Sequence, residues 1–496
     1  MMRNERSKFQ GSGSADMVFA APWTPIETML LALLCVATLF FAIITPPFQA
    51  PDENQHHMKA LALAHGHVLT QQRGKAIGVD LPRAALDIHA VDFPTEVPPT
   101  PRHFERKHIV ASANADGKRP GTYFADFPNV ASYAPSLYAA GAAGLSLGKA
   151  MGLPWIDVFY VGRLVNALVG LALLIAALRL LPFGRNAMLA TALLPTFAYQ
   201  TGSLSPDAVI NGFGFLGLSL ALRTGFMAAT PARSAGLLVT GPLLALCKGV
   251  YLPLMAAGLR WQQHRRDPRP GLILAAGALG AIAFVGWMHM SGGSQALYSI
   301  RARDTGASVM TAPLSDQLAI ILHDPLAYVR VLFSSVAERA PVYALQIVGR
   351  FGWNAILMPL IAYPLAAVML AAGVASGASV RFGAGQRIWW LAVAAGVALL
   401  IETAMYLTGT PLGADYIQGT QGRYFLPLLP LVLMALSPAQ PIKGARRLFS
   451  MCAILLLGIA AATVFDSFWV HGFVTSDGMP PHDSIGRALL LPSPRW

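Results

Sequence analysis

Nine runs of about twenty predominantly apolar residues dominate this chain and leave it few folds. They lie at 27–45, 158–181, 186–204, 207–227, 271–290, 354–376, 387–408, 424–439 and 447–468. About 20 such residues suffice to cross the hydrocarbon core of a bilayer as a helix. Inside that core every backbone polar group needs an internal partner, so helices or closed barrels are the available solutions. The composition argues the same way. Hydrophobic residues make up 55% and charged residues 12%, against about 25% charged in an ordinary soluble domain. A water-facing surface cannot be built from that, and the expected fold class is all-α, a polytopic transmembrane helix bundle with about nine full spans.

The charges set an expected orientation. Lys and Arg number 36 against 24 Asp and Glu, a formal charge of +12. They cluster in short loops beside apolar runs, which suits anionic headgroups and the positive-inside rule. No basic stripe with interleaved aromatics points to nucleic acid. The N-terminus, Arg179 with Arg185, Arg223 with Arg233, Arg260 to Arg269, Arg381 with Arg387, and Lys443 to Arg447 all become cytoplasmic. That parity holds only if 132–150 lies at the outer interface, with Tyr133 and Tyr138 at headgroup level. It also requires 234–260 to enter and leave on the cytoplasmic side as two short helices meeting near Lys248. The apolar part of the first run exceeds a signal peptide's, so it reads as an uncleaved anchor.

The expected organisation is a cytoplasmic tail over 1–26, a transmembrane domain over 27–468 and an outer tail over 469–496. Large outer loops span 46–157 and 291–353. The Pro-rich stretch Phe93 to Pro101 reads as irregular. The run from Ser315 to Arg339 reads as an amphipathic surface helix. Cys35, Cys247 and Cys452 sit in apolar segments without C-x-x-C spacing, so neither a disulfide framework nor a zinc site follows. No internal repeat suggests the halves of a transporter.

Candidate chemistry collects at the outer mouths of the spans. Pro51-Asp52-Glu53 follows the first run, and a helix starting there sets Asp52 and His56, and Glu53 and His57, at i,i+4. The two acids suit a general base or metal ligands, or Asp52 is a helix cap facing water. Asp207, after Pro206, is either a cap or, with Asn211, part of a polar face. Lys248 in an apolar segment costs about 2.5 to 3.5 kcal/mol on insertion scales. It either snorkels to an interface or is held for an anion. Arg423 stands at the outer mouth of a span and can grip a phosphate with two parallel hydrogen bonds. It is equally readable, with Tyr424, as a headgroup anchor. Arg301, Arg303, Glu338, Arg339 and Arg350 are weaker candidates, and the His482-Asp483 pair reads as solvated. No nucleotide loop, nucleophile elbow or zincin motif is present.

Four landmarks in order resemble a known pattern: Pro-Asp-Glu-x-x-His after the first span, Ser-Pro-Asp before an apolar helix, an apolar Lys followed by Tyr-x-Pro, and Gln-Gly-Arg-Tyr-Phe-Leu-Pro. From about residue 40 to 440 the chain resembles a bacterial family of membrane proteins of unassigned function, similar in turn to the GT-C superfamily of polyprenyl-phosphate-sugar-dependent glycosyltransferases. The resemblance implies a GT-C-like fold in the bacterial inner membrane. It also implies that Asp52 or Glu53 is base or metal ligand, with Asp207 as a second acid. Lys248, Arg423 and Tyr424 would meet the lipid phosphate and His56 the substrate, with a divalent metal possible at Asp52, Glu53 and Asp207. The large soluble C-terminal domain of some GT-C enzymes is absent from this reading, so acceptor recognition is not inherited.

The activity so implied is inverting transfer of a sugar from a polyprenyl-phosphate donor to a cell-envelope glycan, lipid or protein, at the non-cytoplasmic face. Tyr123 and Phe124 are candidates to stack on sugar rings or to anchor at the interface. The alternatives are a transporter or flippase of lipid-linked glycans, which would place charged sites near the midplane between repeats, and a non-catalytic envelope-assembly partner.

Overall fold

A computed structural model describes residues 22–91, 120–227, 230–260, 269–304, 314–377 and 382–471. The Pro-rich stretch 93–101 and the His482-Asp483 pair lie outside those residues, as do the side chains of 293–304, including Arg301 and Arg303.

The first helix, α1 (Pro25–Ile44), opens with a capping box. The Thr24 hydroxyl accepts from the Glu27 amide at 3.2 Å, and the Glu27 carboxylate accepts from the Thr24 amide at 2.8 Å. A polar segment follows: α2 (Glu53–Ala64), an antiparallel sheet of β1 (Gln71–Arg73), β2 (Ala76–Pro82) and β3 (Thr122–Asp126), and α3 (Arg83–Asp87). The sheet is a departure from an all-helical expectation. β2 is its middle strand, pairing Gln72 with Ile77 on one side and Val79 with Ala125 on the other. Val79, Leu81 and Ala125 are buried in the main core, and so is Phe127 just beyond β3, whereas Tyr123 is 63% exposed.

Residues 132–150 do not form a spanning helix. A 3-10 turn (Pro135–Leu137) leads into α4 (Ala139–Ala150), only 12 residues long, and a helix of that length rises about 18 Å against a hydrocarbon core of about 30 Å. Then come α5 (Trp155–Leu180), α6 (Arg185–Ala192), α7 (Pro195–Thr201) and α8 (Asp207–Phe226). The expected run 186–204 is thus two short helices, because Pro195 has no amide hydrogen to continue the first and instead starts the second.

The segment 234–260 is broken at Lys248, as its charge and glycine suggest. α9 (Pro231–Cys247) ends where Lys248 takes an extended backbone, and a 3-10 helix (Gly249–Gly258) returns. The return limb ends against the end of α8, for a Cβ on Gly225 would overlap the Gly258 carbonyl oxygen. Both limbs therefore begin and end at one end of the bundle.

α10 (Arg269–Asp304) is followed by α11 (Leu314–His323) and α12 (Pro325–Val348), which meet at a bend of 107°. A single amphipathic helix over 315–339 is not formed. Asp324 caps a new helix by accepting from the Ala327 amide at 2.9 Å, with Pro325 at its first position. A hairpin of β4 (Arg350–Phe351) and β5 (Ile356–Leu357) takes up the start of the expected run 354–376, leaving α13 (Ala362–Ala375) with 14 residues. After α14 (Ala384–Gly409), the expected run 424–439 is a 3-10 turn (Gly422–Phe425) and α15 (Leu429–Leu436). The last helix among the described residues is α16 (Ala445–Trp469).

Six of these helices, α1, α5, α8, α10 over residues 269–292, α14 and α16, are long and apolar enough to cross a membrane. The bent α11–α12 pair makes a seventh if it counts as one span. Side chains tie the two ends of the bundle differently. At one end Arg223 donates to the Leu180 carbonyl and Arg387 to the Ala435 carbonyl, satisfying the free C-terminal oxygens of α5 and α15. Arg185 pairs with Glu27 at 3.3 Å there. At the other end the Trp469 indole donates to the Ile44 carbonyl at 2.7 Å, joining the ends of α1 and α16. That second end carries the candidate site.

A charged site where five chain segments meet

Asp52, Asp207, Lys248, Arg423 and Tyr424 come from segments far apart in sequence and stand together. Asp52 precedes α2 in a left-handed conformation, φ 62°, which aspartate tolerates better than most residues. Its carboxylate makes no cap hydrogen bond to α2 and turns instead to Arg423, at 3.5 Å. Asp207, the first residue of α8, faces the same guanidinium at 3.3 Å. Gln200 at the end of α7 accepts from Arg423 at 3.3 Å. Neither acid is a simple helix cap, and Arg423, buried between them, is not a headgroup anchor.

Both cations lie against Tyr424. The Lys248 ammonium lies 3.8 Å from its ring centre and the Arg423 guanidinium carbon 5.5 Å from it, the geometry of cation–π attraction. Tyr251, on the return limb after Lys248, donates to the Tyr424 carbonyl at 2.8 Å. Lys248 therefore does not extend to an interface. The break in 234–260 puts its head on the Arg-Tyr turn.

Two tyrosines missed by sequence reasoning complete the site. Tyr138 meets His56 with oxygen to Nδ1 at 2.9 Å. Tyr133 lies within electrostatic reach of Asp52, Asp207 and Arg423, and burial pushes its phenol up. Their Y-x-x-x-x-Y spacing read as headgroup anchoring, but the segment before α4 folds inward. The Lys59 ammonium, itself buried, donates to the Ala131 carbonyl at 3.0 Å, and the Trp287 indole donates to the Ser132 carbonyl at 2.7 Å.

Burial and charge tune these groups. Burial raises the Asp52 carboxyl above its usual value; Arg423 opposes that rise, Asp207 adds to it and Lys248 opposes it. Its side chain is still 36% exposed, the most open of the charged pairings here. His56 is pushed down to about 3 by burial, helped by Arg423 and Lys248, so the imidazole is neutral at physiological pH. Burial alone lowers Lys59 to about 8.

Glu53 belongs elsewhere, which corrects its pairing with Asp52. Its carboxylate is fully buried and takes two hydrogen bonds from Arg163, at 2.8 and 2.6 Å, and one from the Leu204 amide at 2.7 Å. Arg163 in turn donates to the carbonyls of Thr45 and Pro46 at 2.5 and 2.9 Å. Three short bonds and complete burial leave this carboxylate no open face for a substrate. The pair instead bolts the end of α1, the start of α2 and the loop before α8 to α5, and thereby sets where Asp52 and Asp207 stand.

The two arginines differ in a way that matters chemically. Arg163 has short bonds at every nitrogen. The Arg423 contacts to Gln200, Asp52 and Asp207 are 3.3 to 3.5 Å, and its Nε, though buried, has no hydrogen-bond partner among the described residues. An under-coordinated buried guanidinium is suited to receive a further anion. A divalent metal fits this arrangement poorly: Arg423 stands between the two acids, and no group of three or more His, Cys, Asp or Glu converges among the described residues.

Of the weaker candidates, Glu338, Arg339 and Arg350 fall outside the site. Glu338 is exposed, Arg339 is buried near Glu402, and Arg350 donates to the Asn354 carbonyl within its own hairpin. His57 meets His89 at 3.0 Å, away from Arg423. Phe124 lies under Arg73, 4.5 Å from ring centre to guanidinium.

Fold and site together define a multi-pass membrane protein of mainly helical build, with a cluster of charged and aromatic side chains at one end of its bundle. The chain belongs to the family described as "Predicted membrane protein (DUF2142)", whose profile matches residues 35–432. No curated protein and no solved structure matches it.

Proposed function

We propose that this protein is a membrane glycosyltransferase of GT-C-like build, moving a sugar from a polyprenyl-phosphate donor to a cell-envelope acceptor at the non-cytoplasmic face of the bacterial inner membrane. In this reading the N-terminus is cytoplasmic. The broken segments α6–α7, α13 and 422–436 complete nine crossings with the six long helices. Collection of Arg185, Arg223 and Arg387 at the end opposite the site supports that orientation.

The observation that carries the reading is the under-coordinated Arg423, held between Asp52 and Asp207 with Lys248 across Tyr424. A donor phosphate would take the free Arg423 nitrogen and the Lys248 ammonium. As the bond from the anomeric carbon to the phosphate oxygen breaks, its electron pair passes to that oxygen, where both cations stabilise it. Asp52, the acid most open to solvent, would take the proton of the acceptor hydroxyl as that oxygen bonds to the anomeric carbon from the opposite face, inverting it. Asp207 would hold Arg423 in place. No step calls on a metal.

The test is release of lipid phosphate from a labelled polyprenyl-phosphate sugar by the purified protein in nanodiscs with envelope acceptors. Asp52→Asn and Arg423→Met should each abolish release. Absence of release by the wild-type chain with every donor, or full activity of Asp52→Asn, would sink the reading; movement of intact donor across the bilayer would replace it with transport.

A further inference from the structure

The turn that carries Arg423 is held from behind by residues that touch neither Asp52 nor Lys248. Three groups of the strap 417–422 are bonded to neighbouring helices. The Ile417 amide donates to the Ser335 hydroxyl at 3.0 Å, the Thr420 hydroxyl to the Glu402 carboxylate at 2.8 Å, and the Gly422 amide to the Gln346 side-chain oxygen at 2.6 Å. Ser335 and Gln346 lie on α12, and Glu402 on α14. Thr420, Glu402, Ser335 and Gln346 are all buried.

The contact at Gly422 leaves no room for adjustment. A Cβ there would stand 2.3 Å from the Tyr343 carbonyl oxygen and 2.7 Å from the Gln346 Cβ. The residue before Arg423 is therefore pressed directly on α12. One residue further on, the Arg423 guanidinium is held to Gln200, Asp207 and Asp52 by long contacts of 3.3 to 3.5 Å, with Tyr424 beside it. Its position is set more by its backbone than by its own side-chain bonds.

We infer that Gln346 and Thr420 are positioning residues for Arg423: hydrogen bonds to α12 and α14 place the turn 422–425 so that the guanidinium stands between Asp52 and Asp207. The inference rests on the proposed lipid-phosphate reaction for its kinetic consequence, but not for its geometry. Both bonds need only the atom that makes them. Gln346→Met keeps the length of the side chain and removes the acceptor. Thr420→Val keeps the shape and removes the donor, while Thr420→Ser restores it. A displacement of about 1 Å at a substrate-binding group is enough to cost up to about a hundredfold in rate.

Two measurements on the full-length protein in nanodiscs test this separately. With a polyprenyl-phosphate sugar as donor, Gln346→Met and Thr420→Val should raise the donor KM about tenfold or more. The acceptor KM should be unchanged, and Thr420→Ser should behave as wild type. The second readout needs no substrate. With Asp52→Cys and Arg423→Cys introduced and Cys35, Cys247 and Cys452 replaced by alanine, a short bismaleimide should link the pair more slowly when Gln346→Met or Thr420→Val is added. Slowed cross-linking, together with no lipid-phosphate activity in the wild-type chain, would uphold the positioning and refute the proposed reaction. Unchanged cross-linking overturns the positioning, whatever the activity. So does a Thr420→Ser variant as impaired as Thr420→Val, or donor and acceptor KM rising together.

Discussion

The Arg163 guanidinium and the Glu53 carboxylate form a bidentate pair with both side chains completely buried, one residue away from the acid that opens to solvent. Glu53 and Asp52 are neighbours in sequence with opposite environments. One is closed off by three short bonds, while the other faces a loosely held arginine at 3.5 Å. Adjacent carboxylates thus divide into one locked into the architecture and one left partly accessible.

Removing one partner of the buried pair should damage the fold rather than the chemistry. Glu53→Gln leaves Arg163 as an uncompensated buried charge, and breaking such a pair costs about 3–5 kcal/mol. Arg163→Met should cost as much by leaving Glu53 unpaired. The check is thermal unfolding in detergent: a large fall in midpoint for both single variants, partly relieved in the Glu53→Gln/Arg163→Met double variant. Wild-type stability in either single variant would contradict the architectural role.

The pH dependence should follow Asp52. A general base must be ionised, and burial raises this carboxyl above the ordinary aspartate value of about 3.9. Transfer activity should therefore fall as pH drops through a limb lying above that value. His56, already neutral down to about 3, should add no limb near 6.5. For stability the sign is opposite to that of a salt-bridged acid. The folded state binds the Asp52 proton more tightly than the unfolded one, so this group favours the fold at low pH, and that contribution is lost as pH rises through its folded value. Asp52→Asn should remove that dependence from the unfolding midpoint. An activity limb at or below about 3.9 would rule out the assignment.

Orientation is open to direct labelling. Tyr123, 63% exposed at the site end, and Ile442, 59% exposed at the other, are suitable positions for single cysteines. A membrane-impermeant maleimide applied to intact cells should label Tyr123→Cys and not Ile442→Cys. Ile442→Cys should react only after the inner membrane is opened. The reverse pattern would put the site in the cytoplasm and end the case for an envelope acceptor.

Much of the architecture was readable from charge and hydropathy. The breaks at Lys248 and before α4 followed from the sidedness of Arg223, Arg260 and their neighbours, because each crossing reverses sides and parity leaves little choice. Less readable were the breaks at Pro195 and Pro325, since a periodic or apolar run hides the loss of an amide hydrogen. The three-stranded sheet escaped notice because β2 and β3 are separated by residues 83–121, so their pairing is long-range.

The site divides in the same way. Asp52, Asp207, Lys248 and Arg423 were legible because an ionisable group beside or within an apolar run carries a cost that usually needs a reason. Arg163 was passed over inside a spanning run, although its burial is as costly as that of Lys248. Tyr133, Tyr138, Gln200, Gln346, Thr420 and Glu402 gave no local signal. Their residue types are ordinary at interfaces and in loops, and only their partners distinguish them.

What the amino-acid order determines by itself is that this chain lives in a membrane, which segments are apolar enough to cross it, and which charges are costly to keep there. Those are properties of each residue against its solvent. The division of labour between Asp52 and Glu53, the inward turn of Tyr133 and Tyr138, and the incomplete coordination of Arg423 were decided only by tertiary structure. A carboxylate or guanidinium takes its character from the groups within about 4 Å of it, and here those groups come from parts of the chain more than a hundred residues away.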